Sequence, residues 1–294
     1  MAVNQRTLSG LAFGDSPQRK PKTRGGYFLT FILGLFTVIQ IYPLIWLLFF
    51  SFKTNDEIFG ANVLGPPHKL LWGNYSLALL EGNVGLYFGN SIIVTFTTVL
   101  ISGLLAAMAA YAITRMKWKL SKAVLIIFLL GMMIPIHSAL LPLFIILRNL
   151  HILNSYLALI IPYVAFALPL AIFVLAGFLQ TLPHELEESA CLDGCSIYRA
   201  FSTIILPLLK PALATVSIFT YIATWNELMF AVVFINNERY KTLTVGVLSM
   251  VGRFVTNWGL IGAGLVVGTL PTVIIYVFMS RQVQNSLTTG ALKG

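Results

Sequence analysis

Carboxylates form the densest chemical cluster in this sequence. Four of the chain's ten acidic residues, Glu185, Glu187, Glu188 and Asp193, fall within ELEESACLD at 185–193. Carboxylates at such density suit the positive pole of a helix, and toward another protein they offer directional contacts to Arg or Lys. Cys191 and Cys195 stand four apart in the same stretch. On a helix they share a face, yet no further Cys and no paired His completes a metal set, so both are expected to be small packing residues. A second group sits in apolar surroundings: Trp225, Asn226 and Glu227 in TWNE, and Asn90 with Ser91, Thr95 and Thr98 as a polar stripe at helical spacing.

No nucleotide phosphate loop of the form G-x-x-x-x-G-K-[ST] occurs, and neither H-E-x-x-H nor G-x-S-x-G is present. The chain is therefore expected to be no enzyme, to hold no cofactor or metal, and to draw its energy from elsewhere.

These residues must be positioned by elements that suit lipid. The 294 residues are 57% hydrophobic and 10% charged, with mean hydropathy +0.86, whereas soluble domains carry about 25% charged residues. The formal charge of +9 does not point to nucleic acid, because the basic residues flank apolar runs where lipid headgroups and topology account for them. A helix needs about 20 apolar residues to cross the hydrocarbon while satisfying its own backbone. Six stretches qualify: Tyr27 to Ser51, Phe88 to Ile113, Ala123 to Leu147, Tyr156 to Leu179, Ala212 to Phe234 and Gly259 to Ser280. Only the fifth contains a formal charge, Glu227.

Lysine and arginine set the direction. The tail, the loop after the second span, the 180–211 loop and the C-terminus hold 13 of them, against 6 in the alternate loops. The positive-inside rule then places both termini and the acidic cluster in the cytoplasm. The first span is too long for a signal-peptide core and lacks a small-residue cleavage site, so it is expected to be retained.

Within the loop, Thr181 and Pro183 are expected to open a short helix whose first turn carries Glu185, Glu187 and Glu188. Gly194 is its natural left-handed stop, and Ser196 can cap a second helix running through Tyr198, Phe201 and Ile205 toward Pro207 and Pro211. In the fifth span, Asn226, Glu227 and Trp225 either line a pathway or hydrogen-bond between helices with Trp225 as packing. The stripe from Asn90 faces a pore or a partner. His137, after the expected kink at Pro135 in the third span, is expected to be structural. Gly264 with Gly268 and Gly103 with Ala107 are small pairs suited to packing.

EESACLDG, followed thirteen residues after its Gly by the Pro of ILPLLKP, resembles the EAA loop of permeases in binding-protein-dependent ABC importers. Glu188, Ala190, Asp193, Gly194, Leu206 and Pro207 match; Ser189 stands where the pattern has Ala, and Cys195 where a small Ala is usual. IYPLIWLLFFSFKTNDEIF, TWNELMFAVVFINNERYKTLTVGV and SLTTGALKG resemble permeases of the carbohydrate-uptake group, of the six-span maltose transporter type. Gln is more usual than His137 at its place in that group.

The resemblance implies an all-α membrane protein with the type I ABC importer permease fold: six transmembrane helices and a cytoplasmic coupling-helix loop. It divides the chain into a cytoplasmic tail (1–26), a six-span permease domain (27–280, coupling loop 181–207) and a cytoplasmic tail (281–294). Glu187, Glu188, Ala190, Asp193, Gly194 and Pro207 would couple to an ATPase, and Leu287 to Gly294 would reach toward the ATPase dimer. The implied partners are a second permease subunit, two cytoplasmic ATPase subunits that bind ATP and Mg, and an external solute-binding protein carrying a carbohydrate, an oligosaccharide by this resemblance. The implied location is a bacterial cytoplasmic membrane. An ion-gradient-driven carrier is the alternative, but it calls for a carboxylate relay and inverted halves; Glu227 is alone in its span, and no inverted pair is evident.

Overall fold

A chain in hydrocarbon has no water to satisfy its backbone, so its segments close their hydrogen bonds internally as helices. The computed structural model describes the backbone of residues 24–60, 62–116, 118–252 and 256–291, and the side chains of those between 26 and 279; within them there are helices and turns and no strand. Residues 1–23, Lys117, Arg253 and 292–294, to which the sequence assigned topology charges and tails, lie outside the described residues.

The chain divides at Trp46 and Leu47 into two compact units. The first holds most of α1 (Arg24–Ser51), in which the hydroxyls of Thr30 and Thr37 donate to the carbonyls of Gly26 and Leu33 at 2.8 and 2.7 Å. Each polar side chain is thereby absorbed by its own helix.

The second unit begins with the end of α1 and two short helices, α2 (Asn55–Phe59) and α3 (Gly73–Leu80). Next come α4 (Val84–Thr114), α5 (Ser121–Gly131), α6 (Leu140–Asn149) and α7 (Leu157–Leu179). The polar loop carries α8 (Glu185–Leu192), α9 (Ile197–Ala200) and α10 (Leu206–Leu208), and the chain returns through α11 (Lys210–Trp225). It ends with α12 (Met229–Phe234), α13 (Leu243–Ser249) and α14 (Trp258–Ala291).

Among the described residues, four helices are long and apolar enough to cross a membrane: α1, α4, α7 and α14. Two bent pairs make up to six spans. The first pair, α5 and α6, breaks by 92° where Pro135 was expected to kink the third span. The amides of Met132, Met133 and Ile134 turn back onto the carbonyls of Leu129, Leu130 and Gly131, so the bend leaves these donors satisfied. The second pair joins the α9–α10 segment to α11 at 72°.

The fifth span differs from the expectation of Ala212 to Phe234. Its helix ends at Trp225, and a new helix starts at Met229. The cause is Glu227: its carboxylate accepts from the amides of Phe230 (2.9 Å) and Ala231 (3.3 Å), capping α12 rather than continuing α11.

Small residues let α4 and α7 approach closely in parallel. Ala106, Ala107 and Ala110 of α4 and Ala171 and Ala176 of α7 are buried in one cluster with Ile172, Leu175 and Leu179. Helix α11 packs antiparallel to α4, with Ala212 and Val216 in that cluster near one end and Trp225 against Phe88 near the other. The Gly264 and Gly268 pair packs as expected: a Cβ there would meet Val247 Cγ2 at 3.1 Å and Leu243 Cδ2 at 3.0 Å. One end of this unit therefore gathers Arg115, the end of α7 and the α8–α10 loop, and the other gathers the start of α4, Tyr156 and residues 235–242.

Candidate functional site

The acidic loop folds into a fastened elbow. Helix α8 starts with Glu185, Glu187 and Glu188 in its first turn and stops at Gly194, whose φ is +79°. Gly194 N donates to Cys191 O at 3.0 Å and Cys195 N to Ala190 O at 2.9 Å, the paired bonds of a Schellman stop. Ser196 Oγ then accepts from Arg199 N at 3.4 Å, so the second arm is capped as the sequence suggested. A π turn at Phe201–Ile205 and α10 with Pro207 lead into α11.

The start of α8 differs from the expectation. Thr181 does not cap it; its hydroxyl donates backward to Phe178 O at 2.7 Å, closing α7. Pro183 lies two residues before the helix, which begins after His184.

The outer surface of the elbow mixes charge and grease. Glu185, Glu188, Asp193 and Gly194 are exposed, with Leu192 90% and Tyr198 80% exposed beside them. Ala190 is buried against its own chain rather than part of that outer surface. Cys191 is exposed rather than packed, and Cys195 is half-buried. Glu187 also turns inward, its side chain 15% exposed and 3.7 Å from Arg115.

Arg115 is the residue the sequence underrated. It entered only as a topology charge, yet its guanidinium is buried under the elbow and donates to Leu179 O and Leu182 O, with His184 Nδ1 at 2.8 Å. The available signal was its place at the end of a span, where a cation can meet free carbonyls.

The intramembrane polar residues separate into two kinds. Asn90 is buried and fully used: its amide donates to Arg239 O (2.9 Å) and Lys241 O (2.8 Å), and its carbonyl accepts from Tyr156 Oη (2.8 Å). Ser91 Oγ accepts from Leu243 N at 2.8 Å, and Thr95 and Thr98 are buried too, so the stripe faces this chain's own interior rather than a pore or a partner. Trp225 is likewise buried, its indole donating to Gly268 O of α14 at 3.0 Å. Asn226 is exposed and bonds locally to Ile222 O, and His137 is exposed in the turn before α6.

Glu227 lines a recess. A cavity of about 150 Å³ between α7 and α11 is walled by Tyr163, Phe166, Phe219, Thr220, Thr224 and Glu227, among others. Tyr163 Oη donates to the Glu227 carboxylate at 2.5 Å. Carboxylate, hydroxyls and aromatic faces in one recess suit a polyhydroxylated ligand. A second, apolar recess of about 530 Å³ lies between α4 and the α10–α11 bend, lined by Phe96, Gly103, Pro207 and Lys210 among others.

At the opposite end, residues 235–242 are pinned by side-chain hydrogen bonds. Asn154, at φ +57°, accepts from the amides of Asn236 and Asn237 at 2.6 and 2.9 Å through its side-chain oxygen. The Lys241 ammonium and the Tyr87 hydroxyl hold the Glu238 carboxyl below its usual range, against the opposing effect of burial. That support is present above the ordinary carboxylate range and is lost as pH falls through the lowered one.

Residues 100–289 match the family described as binding-protein-dependent transport system inner membrane component. The diacetylchitobiose uptake system permease protein NgcG of Streptomyces coelicolor is 34% identical over 264 residues, covering 89% of this chain and 87% of that protein. The trehalose/maltose transport system permease protein MalG of Thermococcus litoralis is 34% identical over 268 residues, covering 88% and 94%. A chain in the crystal structure of a bacterial ABC transporter that imports the acidic polysaccharide alginate superposes with a TM-score of 0.78 at 22% identity, covering 88% of this chain and 98% of that one, and so shares the fold.

Asn90→Ala removes the side-chain partner of two carbonyls and a hydroxyl in part-buried bonds, at about 1 kcal/mol for each bond lost. Limited trypsin digestion in detergent is expected to cut after Arg239 or Lys241 much faster in this variant, whereas Asn226→Ala, which loses one exposed local bond, is expected to digest like the parent.

Proposed function

Because the chain belongs to the family of binding-protein-dependent transport system inner membrane components, we propose that it is one permease half of a carbohydrate importer whose movement is driven through the α8–Gly194–α9 elbow by a separate ATPase. It sits in the membrane as a multi-pass protein, with residues 27–280 as its spanning domain and 1–26 and 281–294 as cytoplasmic tails. A second permease subunit completes the pathway, two ATPase subunits bind ATP and Mg, and an external binding protein delivers the sugar, in a bacterial cytoplasmic membrane.

One observation carries this reading: an acidic, apolar-tipped elbow whose tip is exposed and whose base is bonded to the bundle. An exposed Leu192 between carboxylates is poorly suited to water alone, and it fits a cleft lined by apolar and basic residues. Glu188, Asp193 and Gly194 form the outward face, Glu187 and Ala190 seat the helix on its own chain, and Pro207 shapes the bend that leads motion into α11. Rocking of the bundle by such a rigid joint is the movement alternating access requires.

The cargo reading rests on the named sugars of the two relatives and on the Glu227 recess. Sugar hydroxyls would meet Glu227 and Thr224, and ring faces would meet Phe166 or Phe219. Asn90 and Trp225 are committed to bonds within the chain rather than to cargo, and Asn226 bonds to its own helix.

Gly194→Val places a β-branched residue at a positive φ, at a cost of about 1–2 kcal/mol, and breaks the Schellman stop. In proteoliposomes holding the whole importer, sugar uptake is expected to fall about tenfold or more with insertion intact and ATP hydrolysis continuing; uptake equal to the parent's contradicts the role of the elbow. The cargo class is read separately, by calorimetry of the cognate binding protein against maltose, trehalose, diacetylchitobiose and an amino-acid control. Binding of a sugar alone is expected, and binding only of the amino acid overturns the carbohydrate reading.

A further inference from the structure

The last turn of α4 touches both arms of the elbow. Tyr111 lies against Phe201 of the π turn with ring centroids 5.0 Å apart. One turn on, Arg115 reaches the other arm: its side chain is 2% exposed, and it joins Leu179 O and Leu182 O at the end of α7 to His184 and Glu187 at the start of α8. A planar fork with five donors can address these separate groups at once; an ammonium on the same site cannot.

The cluster is also unfinished. Among the described residues, the buried side-chain polar atoms without a partner are Thr98 Oγ1, Arg115 Nε and Glu187 Oε1. Two of these three belong to one pair, and they are complementary, a donor and an acceptor. The Arg115–Glu187 contact itself runs from Nη1 to Oε2 at 3.7 Å, whereas a closed guanidinium–carboxylate contact is about 2.7–2.9 Å. A shift of about 1 Å by α8 toward α4 would close that Nη1–Oε2 contact, and a shift away would leave a buried cation still less compensated. The contact therefore resists separation and has a defined closed setting.

We propose that Arg115 is a positioning residue that locks α8 to the ends of α4 and α7, and that Glu187 closes onto it when a partner seated on the elbow presses α8 inward. This rests on the coupling role proposed above for the elbow. With the latch, a push on α8 moves both long parallel helices; without it, α8 swings on the residues after Leu179 and the push is lost.

The test uses the complete importer in proteoliposomes and reads the MgATP hydrolysed per sugar delivered, the sugar being the one its binding protein captures in the panel above. Arg115→Lys keeps the charge and loses the fork. It is expected to retain the ATPase subunits on purification while the ratio rises about tenfold, and the Arg115→Lys, Glu187→Gln double variant is expected to be no worse than Arg115→Lys alone. A ratio equal to the parent's in assembled Arg115→Lys complexes, whatever their yield, overturns the proposal, as does full additivity of the two changes. Should Arg115→Lys fail to assemble, Glu187→Gln decides: its ratio must rise at least about threefold, and a parental ratio overturns the latch. Gly194→Val separates the two levels, because a parental ratio there removes the coupling role itself, whereas a raised ratio there with a parental one in Arg115→Lys removes only the latch.

Discussion

Burying a guanidinium costs several kcal/mol unless fixed carbonyls or carboxylates replace its water. Arg115 meets that condition only because α4 and α7 run parallel and end together, which places Leu179 O and Leu182 O within its reach. The alanines that let those helices touch therefore also set the geometry of the elbow. Remove the close packing, and the charge loses its ligands; remove the charge, and the acidic helix loses its seat.

The same physics governs the other end of the unit. Helices that stop or bend at membrane depth leave free backbone groups, and polar side chains in this chain stand where those groups appear. Glu227 caps α12 at the break after Trp225, Asn90 holds the carbonyls of Arg239 and Lys241, and Trp225 reaches a carbonyl of α14. Costly residues thus make the broken spans tolerable. Glu227 also lines a recess between α7 and α11, so one carboxylate both caps a helix and faces an open space.

Much of this was readable in the residues. Apolar length marked the spans, Gly194 marked a left-handed stop because no side chain sits easily at its φ, and Ser196 and Pro135 marked a cap and a bend. What stayed hidden depends on contacts between distant segments. Apolar residues resume directly after Asn226 and Glu227 and run to Phe234, so nothing local shows that the Glu227 carboxylate would turn back onto Phe230 and Ala231. Thr181 has the chemistry of a cap, but its hydroxyl bonds equally well to the helix behind it. Asn90 looked like a pathway group because its partners, Arg239 and Lys241, are about 150 residues away. Arg115 looked like a topology signal because Leu182, His184 and Glu187 come near it only once α4 and α7 have packed.

The central claim is that the tip of the elbow seats a second polypeptide on the inner face of the membrane. A photo-crosslinking amino acid at position 192, where the native leucine is 90% exposed, tests it in intact cells. The account predicts a covalent adduct with one soluble ATP-hydrolysing subunit, and labelling of Cys191 by a membrane-impermeant maleimide only in inverted vesicles. Adducts with lipid alone, or labelling of Cys191 from outside intact cells, would contradict it.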